Sequence, residues 1–420
     1  MITIQDINST NFDSIPDDAF WSIADEKELK MHRIHAYPAK FPALIPTKGL
    51  EFAQRNGLVV KRVADIFCGC GTVAFEAKRS GIDFWGCDIN PVATMIAKTK
   101  SGDYKVETLE DYYDKIEKYF LTHQGRTSYK NANERLKYWY DEDTYKETAR
   151  LKNAIIAVVP ETSRYHLFFM CAFSNILKAA SRWLTKSIKP QVDPDKKLVD
   201  IITTFEEQCS FMIKAYKESN VSGMPETKIV NANFLSPQLN RPQVDMIITS
   251  PPYVTSYEYA DLHQLSSLWL GFATDYRDLR DGSIGSSHHD YDFKREVKRL
   301  NDTGTKIVFG LMNYDKSKAH DVAKYFLDMQ KVALGCYQML SDNGMALFVI
   351  GNTEYKGVRI DNAKHLSESL INGGFKKVLV TKRKITKKIL TPYRNPQGRF
   401  SRDKNSRKVY GEEFIVIGRK

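Results

Sequence analysis

Residues Val63-Ala64-Asp65-Ile66-Phe67-Cys68-Gly69-Cys70-Gly71-Thr72 form an apolar run that passes directly into a Gly-x-Gly turn. A buried strand that ends in paired glycines and continues as a helix, here from Val73 to Ser80, restricts the chain to few architectures. Gly69 and Gly71 let the backbone take positive φ or lie close to a ligand, and Asp65 at the strand end can bind a cationic amine. A second strand, Phe84 to Cys87, ends in Asp88-Ile89-Asn90-Pro91, where the acid suits the two hydroxyls of a ribose. The third glycine of the dinucleotide fingerprint is missing, which favours a nucleoside over a pyrophosphate. Strand, turn, helix, strand and acid together predict an α/β, Rossmann-like chain with one nucleoside-binding unit.

Further on, Met246, Ile247 and Ile248 read as a buried parallel strand ending in Thr249-Ser250-Pro251-Pro252-Tyr253. The two prolines force a rigid exit that fixes polar groups at the strand's carboxyl end. The Ser250 hydroxyl and the Pro251 carbonyl can both accept from one planar amino group, while the Tyr253 ring offers a face for stacking. That chemistry suits an exocyclic amine on a base.

With these two motifs in order, the sequence resembles the S-adenosylmethionine-dependent amino-methyltransferases of DNA, and within them the branch that methylates N4 of cytosine. Ile248 to Tyr253 matches that branch's apolar-Thr-Ser-Pro-Pro-aromatic signature. His35-Ala36-Tyr37-Pro38-Ala39-Lys40-Phe41-Pro42 resembles its His-Pro-Ala-x-Phe-Pro element, with Ala36 and Tyr37 inserted between the His and the Pro. The resemblance implies that Phe41, Asp65, Phe67, Gly69, Gly71 and Thr72 hold the amino-acid part of the cofactor, and that Asp88 and Ile89 hold the ribose and adenine. Asn233 stands where the family has an acid near the adenine amine, and Cys70 replaces a usual Ser. Ser250, Pro251, Pro252 and Tyr253 become the catalytic residues.

The implied fold is a Rossmann-like class I methyltransferase sheet with a mainly helical insertion. The implied organisation is an N-terminal arm at 1–34 and a cofactor-binding half at 35–103. A helical insertion at 104–225 is the candidate for target recognition, and a catalytic half at 226–420 carries a basic C-terminal region. The implied reaction moves a methyl group from S-adenosylmethionine to N4 of a flipped-out cytosine at a specific site in double-stranded DNA. A cognate restriction endonuclease is a possible partner. Adenine N6 is the close variant; an RNA base methyltransferase and a silent nucleic-acid-binding protein are the other readings.

The net charge of +11 is unevenly placed, because eighteen Lys or Arg against five Asp or Glu from Lys356 onward give +13 and leave −2 for the rest. Lys384, Lys387, Lys388, Arg394 and Arg399 lie in that stretch and are the expected phosphate contacts. The six cysteines show no Cys-x-x-Cys pair and read as reduced packing thiols, so no metal is expected. No apolar run is long enough to span a bilayer and no basic-then-apolar leader is seen, which predicts a cytoplasmic protein; the resemblance implies a prokaryotic one held at the nucleoid through DNA.

Between the motifs, the spacing predicts helices over about 104–223, with a loop at 186–197. Tyr138, Trp139 and Tyr140 are expected to pack rather than stack on bases, and His166 to be core. The run Asp281 to Asp292, with His288 and His289, reads as a loop over the active site. Glu413 to Gly418 is expected to close the sheet.

Overall fold

The computed structural model describes the 420-residue chain except residues 23–26, 39, 126, 220–224, 255–258, 285–290, 385–392, 395–400, 402, 404–406 and 409–411. Its centre is an eight-stranded sheet. The strands are β1 (Ile2–Ile4), β2 (Arg62–Asp65), β3 (Asp83–Asp88), β4 (Thr227–Asn231), β5 (Val244–Thr249) and β6 (Leu340–Gly351). A small hairpin of β7 (Thr353–Tyr355) and β8 (Val358–Ile360) follows, then β9 (Lys377–Lys384), a short pair β10 (Tyr393–Arg394) and β11 (Arg407–Lys408), and β12 (Glu412–Arg419).

Sheet order is β1-β9-β12-β6-β5-β2-β3-β4. Strands β4, β3, β2, β5 and β6 run parallel, and β12 inserts antiparallel between β6 and β9. This is the class I methyltransferase order: connections step outward from β2 through β3 to β4, then return to β5 and step the other way. The reversal opens a crevice at the carboxyl ends of β2 and β5. The central parallel strands β2 and β5 are apolar on both faces because helices cover both, and Val63, Ala64, Met246, Ile247 and Ile248 are fully buried.

The covering helices are α1 (Leu44–Arg55), α2 (Thr72–Arg79) and α3 (Pro91–Ser101) before the insertion. Within it come α4 (Val106–Thr122), α5 (Glu134–Trp139), α6 (Glu142–Val158), α7 (Arg164–Ala180) and α8 (Ile201–Ser219). Short turns α9 (Tyr259–Leu262), α10 (Gln264–Trp269) and α11 (Phe293–Glu296) lead to α12 (Asp302–Met312), α13 (Lys316–Met339) and α14 (Asn362–Asn372). Asn90 starts α3 by accepting from Val92 N at 3.0 Å, and Pro91 at the first helical position loses no hydrogen bond there.

The inserted helices form a core of their own around Leu109, Ile116, Trp139, Leu151, Phe169, Phe173 and Phe205, and it is continuous with Met95 and Ile96 of α3. The insertion therefore rests on the helix that follows the ribose-side strand. Trp139 and Tyr140 are buried as expected, whereas Tyr138 is half exposed at 51%. His166 is buried, with Nδ1 3.0 Å from the Val159 carbonyl. The stretch read as an arm is fitted to the sheet: β1 pairs antiparallel with β9, and Phe12, Ile15 and Trp21 are buried. A three-residue strand is too short to show alternation, so its sequence carries no periodic signal.

No helix among the described residues is long and apolar enough to cross a membrane. No described group of three or more His, Cys, Asp or Glu is placed to hold a metal. All six cysteines are buried free thiols.

Candidate active site

The crevice at the ends of β2 and β5 collects most of the motif residues. Asp65 ends β2 with 3% exposure, and its Oδ1 accepts from the Thr249 hydroxyl at 2.6 Å and from Phe67 N at 3.1 Å. Burial raises its carboxyl to about 7, with the two hydrogen bonds opposing and nearby Asp88 adding to the rise. The turn that follows bends through Gly69 at φ 47° and Gly71 at φ 75°. A Cβ on Gly71 would lie 2.6 Å from the Ala97 Cβ, so glycine is required there both for its dihedral and for the contact of α2 with α3.

Asp88 is half-buried at the end of β3. Its Oδ2 accepts from Gly69 N at 2.9 Å and its Oδ1 from Asn90 N at 2.8 Å, which ties the acid to the glycine turn. Burial pushes its carboxyl above the usual range, against these two bonds. Each oxygen keeps a lone pair for a further donor.

Thr72 begins α2, and its Oγ1 is buried with no hydrogen-bond partner among the described residues. A buried hydroxyl without a partner is costly, and here it stands at a helix N-terminus, which attracts a carboxylate. The half-buried Phe41 packs on the layer containing Cys68, Val73 and Ile248, while Phe67 packs against the opposite cluster that includes Ile66 and Cys87. An unmet hydroxyl, two glycines without side chains and two acids with spare lone pairs fit the amino-acid and ribose ends of S-adenosylmethionine.

Ile89 and Asn233 stand together on the β3–β4 side. Asn233 Nδ2 donates to the Gly282 carbonyl at 3.1 Å and its Oδ1 accepts from Leu235 N at 2.8 Å. A Cβ on Gly282 would lie 3.3 Å from Ile89 Cδ1, so the start of the 281–292 loop lies against both residues. His288 and His289 fall outside the described residues.

On the other side of the crevice, Ser250 donates its hydroxyl proton to the Val349 carbonyl at 3.0 Å. Its oxygen thereby faces any further partner as an acceptor. Pro251 is buried and Pro252 half-buried. Tyr253 is half-buried, and its hydroxyl donates to Glu413 Oε1 at 3.3 Å; burial and the nearby Glu413 carboxylate push its phenol well above the usual range, against a side-chain hydrogen bond with Ser250 and the charge of Arg383.

Three neighbours carried no sequence-level role. The Tyr37 hydroxyl would lie 3.4 Å from a Cβ on Gly69, and its ring tilts over His263 with centroids 5.1 Å apart. Asn90 Nδ2 and His263 Nδ1 are 2.8 Å apart, so the amide donates and the ring proton sits on Nε2. Burial lowers His263 to about 3, keeping it neutral. Tyr37, inserted into the His-Pro element, was the only visible signal of this cluster; nothing local marks His263.

The basic residues are placed less fully. Lys384 ends β9 and Arg394 lies in β10, whereas Lys387, Lys388 and Arg399 lie outside the described residues.

No family model matches the chain. Among curated proteins, it is 25% identical over 375 residues to the type II methyltransferase M.MvaI of Kocuria varians, covering 81% of each chain. It is 22% identical over 362 residues to the type II methyltransferase M.AvaI of Nostoc, covering 76% of this chain and 74% of that one. The type II methyltransferase M.BsoBI of Geobacillus stearothermophilus is 24% identical over 286 residues, covering 60% of this chain and 54% of that one. A solved rRNA methyltransferase of Streptomyces viridochromogenes aligns with a TM-score of only 0.27 at 9% identity, over 93% of this chain and 91% of that one, and carries no argument. The nucleoside turn and the Ser-Pro-Pro-Tyr exit meet at the switch point of the sheet, and over most of its length the chain is similar in sequence to type II methyltransferases.

Proposed function

We propose that this enzyme methylates the exocyclic N4 amine of cytosine at a specific site in double-stranded DNA. The observation that carries the reading is the Ser250 hydroxyl, whose proton is committed to the Val349 carbonyl. The Ser250 oxygen and the Pro251 carbonyl then form an acceptor pair for an amine's two N–H groups. Tyr253 stacks on the ring, and Asp65, Thr72 and Asp88 hold the methyl donor.

An aromatic amine is a poor nucleophile because its lone pair is delocalised into the ring. Two acceptors that hold its hydrogens out of the ring plane turn the lone pair toward the donor. S-adenosylmethionine supplies an electrophilic methyl on a sulfonium. The protein's part is proximity and alignment, with no enzyme nucleophile, and the proton of the methylated amine leaves to solvent once the methyl–sulfur bond has broken. Since a paired base cannot reach this crevice, it is flipped out at a cost of about a few kcal/mol, offset by phosphate contacts on the basic C-terminal region.

Incubation of unmethylated plasmid DNA and of total RNA with labelled cofactor, followed by nucleoside mass spectrometry, tests the reading. N4-methylcytosine in DNA is expected; label solely in N6-methyladenine or in RNA would overturn it.

A further inference from the structure

Tyr253 is held by a pair of residues remote in sequence. Its hydroxyl donates to Glu413 Oε1 at 3.3 Å, and the other carboxylate oxygen, Oε2, accepts from Arg383 Nη2. Arg383 and Glu413 face each other in register on β9 and β12. Their side chains are 2% and 18% exposed. Among the described residues the buried Arg383 Nε and Nη1 have no acceptor, and Glu413 accepts from the Nη2 of this guanidinium. An arrangement with unmet buried donors is a costly way to join two strands. Packing alone does not explain it.

We infer that Arg383 and Glu413 are positioning residues that orient the Tyr253 ring and enrich its electron density for the methyl-transfer step. The inference rests on the proposed stacking of Tyr253 against the target base. A phenol that donates to a carboxylate is polarised toward phenolate, which strengthens the negative face of its ring. As the methyl–nitrogen bond forms and the methyl–sulfur bond breaks, the amine nitrogen gives up its lone pair and the base becomes cationic until the proton leaves. An electron-rich face stacked on that base stabilises the charge as it develops and has much less effect on the neutral ground state. Arg383 in turn fixes the carboxylate, which otherwise turns about three side-chain torsions.

The arrangement also places both residues where the basic region leaves and rejoins the sheet. The chain between Lys384 and Glu412 carries eight Lys or Arg against one Asp. Residues next to its two ends thus meet at the tyrosine of the base site.

The experiment is a double-mutant cycle on single-turnover methylation of plasmid DNA, using Tyr253→Phe and Glu413→Gln alone and together. Tyr253→Phe keeps the stacking surface and loses only the hydroxyl, so it is expected to fold and to lower the transfer rate about five- to tenfold with the DNA and cofactor Kd unchanged. Glu413→Gln is expected to act in the same direction but to add less than twofold in the Tyr253→Phe background. Thermal unfolding of each variant reads any purely structural loss, which would recur equally in both backgrounds. A wild-type rate for Tyr253→Phe, or equal factors for Glu413→Gln in the two backgrounds, would overturn the inference. The base that the wild type methylates judges the reading of function separately, because the coupling is read on whichever base takes the label.

Discussion

Thr249 donates its hydroxyl proton to Asp65 at 2.6 Å, joining the last residues of β5 and β2 where the sheet's connections reverse. The bond fixes the motif that leads into the proposed base site against the one that leads into the proposed cofactor site. It also shapes the acid's titration. Burial raises the Asp65 carboxyl to about 7, well above its value in an unfolded chain. Relative to the unfolded chain, a fold with a raised acid loses stability progressively as pH rises from about 4, and the loss is complete at about 7.

A cationic amine beside Asp65 reverses this preference, because it stabilises the carboxylate. Cofactor binding is therefore expected to release a proton near neutrality and to tighten as pH rises from 6 to 8, by up to about tenfold per unit below the titration point. Calorimetry in two buffers of different ionisation enthalpy measures the proton directly. Asp65→Asn should bind more weakly with a flat pH profile, and a pH-independent wild type would remove Asp65 from the amine's neighbourhood.

Gly71 tests the turn by sterics. Its φ of 75° and the 2.6 Å approach of a Cβ to Ala97 predict that Gly71→Ala costs about 2–4 kcal/mol, combining strain with a backbone shift between α2 and α3. Gly57 is the control: it has φ 74° but nothing within 4 Å, so Gly57→Ala should cost only about 1 kcal/mol. Denaturant unfolding of the two variants should separate them, and equal losses would mean that the α2–α3 contact does not require glycine.

Why the cofactor half was so legible is visible in these residues. Asp65, Gly69, Gly71 and Asp88 lie within one βαβ unit, so the local order of strand, turn and acid already places them in space. Ser250 to Tyr253 was legible because prolines end a strand in one way. The Glu413 contact with Tyr253 spans 160 residues and depends on β12 entering between β6 and β9, which no local pattern encodes. His263 was unreadable for a related reason, since its partner Asn90 lies 173 residues away. The first strand escaped notice because three residues show no period, although their pairing with β9 closes the sheet edge.

Asp88 should matter to binding rather than chemistry. It holds the Gly69 and Asn90 amides and has lone pairs left for ribose hydroxyls. Asp88→Ala is expected to weaken S-adenosylmethionine by about 1.5–3 kcal/mol, the range for a lost charge-assisted hydrogen bond. Titration calorimetry on a folded variant provides the number, and unchanged affinity would exclude Asp88 from the site.

Target recognition is proposed to divide between two regions of different chemistry. The inserted helices have their own aromatic core and rest on α3, so they can vary in surface without disturbing the sheet. The C-terminal basic residues carry charge with little other distinguishing chemistry. Phosphate contacts add affinity without sequence information, and each one lost flattens the log-log salt dependence by up to about 0.9. Neutralising Lys384, Lys387 and Lys388 together should therefore weaken binding to all DNA sequences alike and reduce the salt slope. Replacing 104–225 with the corresponding segment of a relative should instead change which site is methylated, read by sequencing methylated genomic DNA. If the lysine changes shift the site while the exchange leaves it as before, the two regions hold each other's roles.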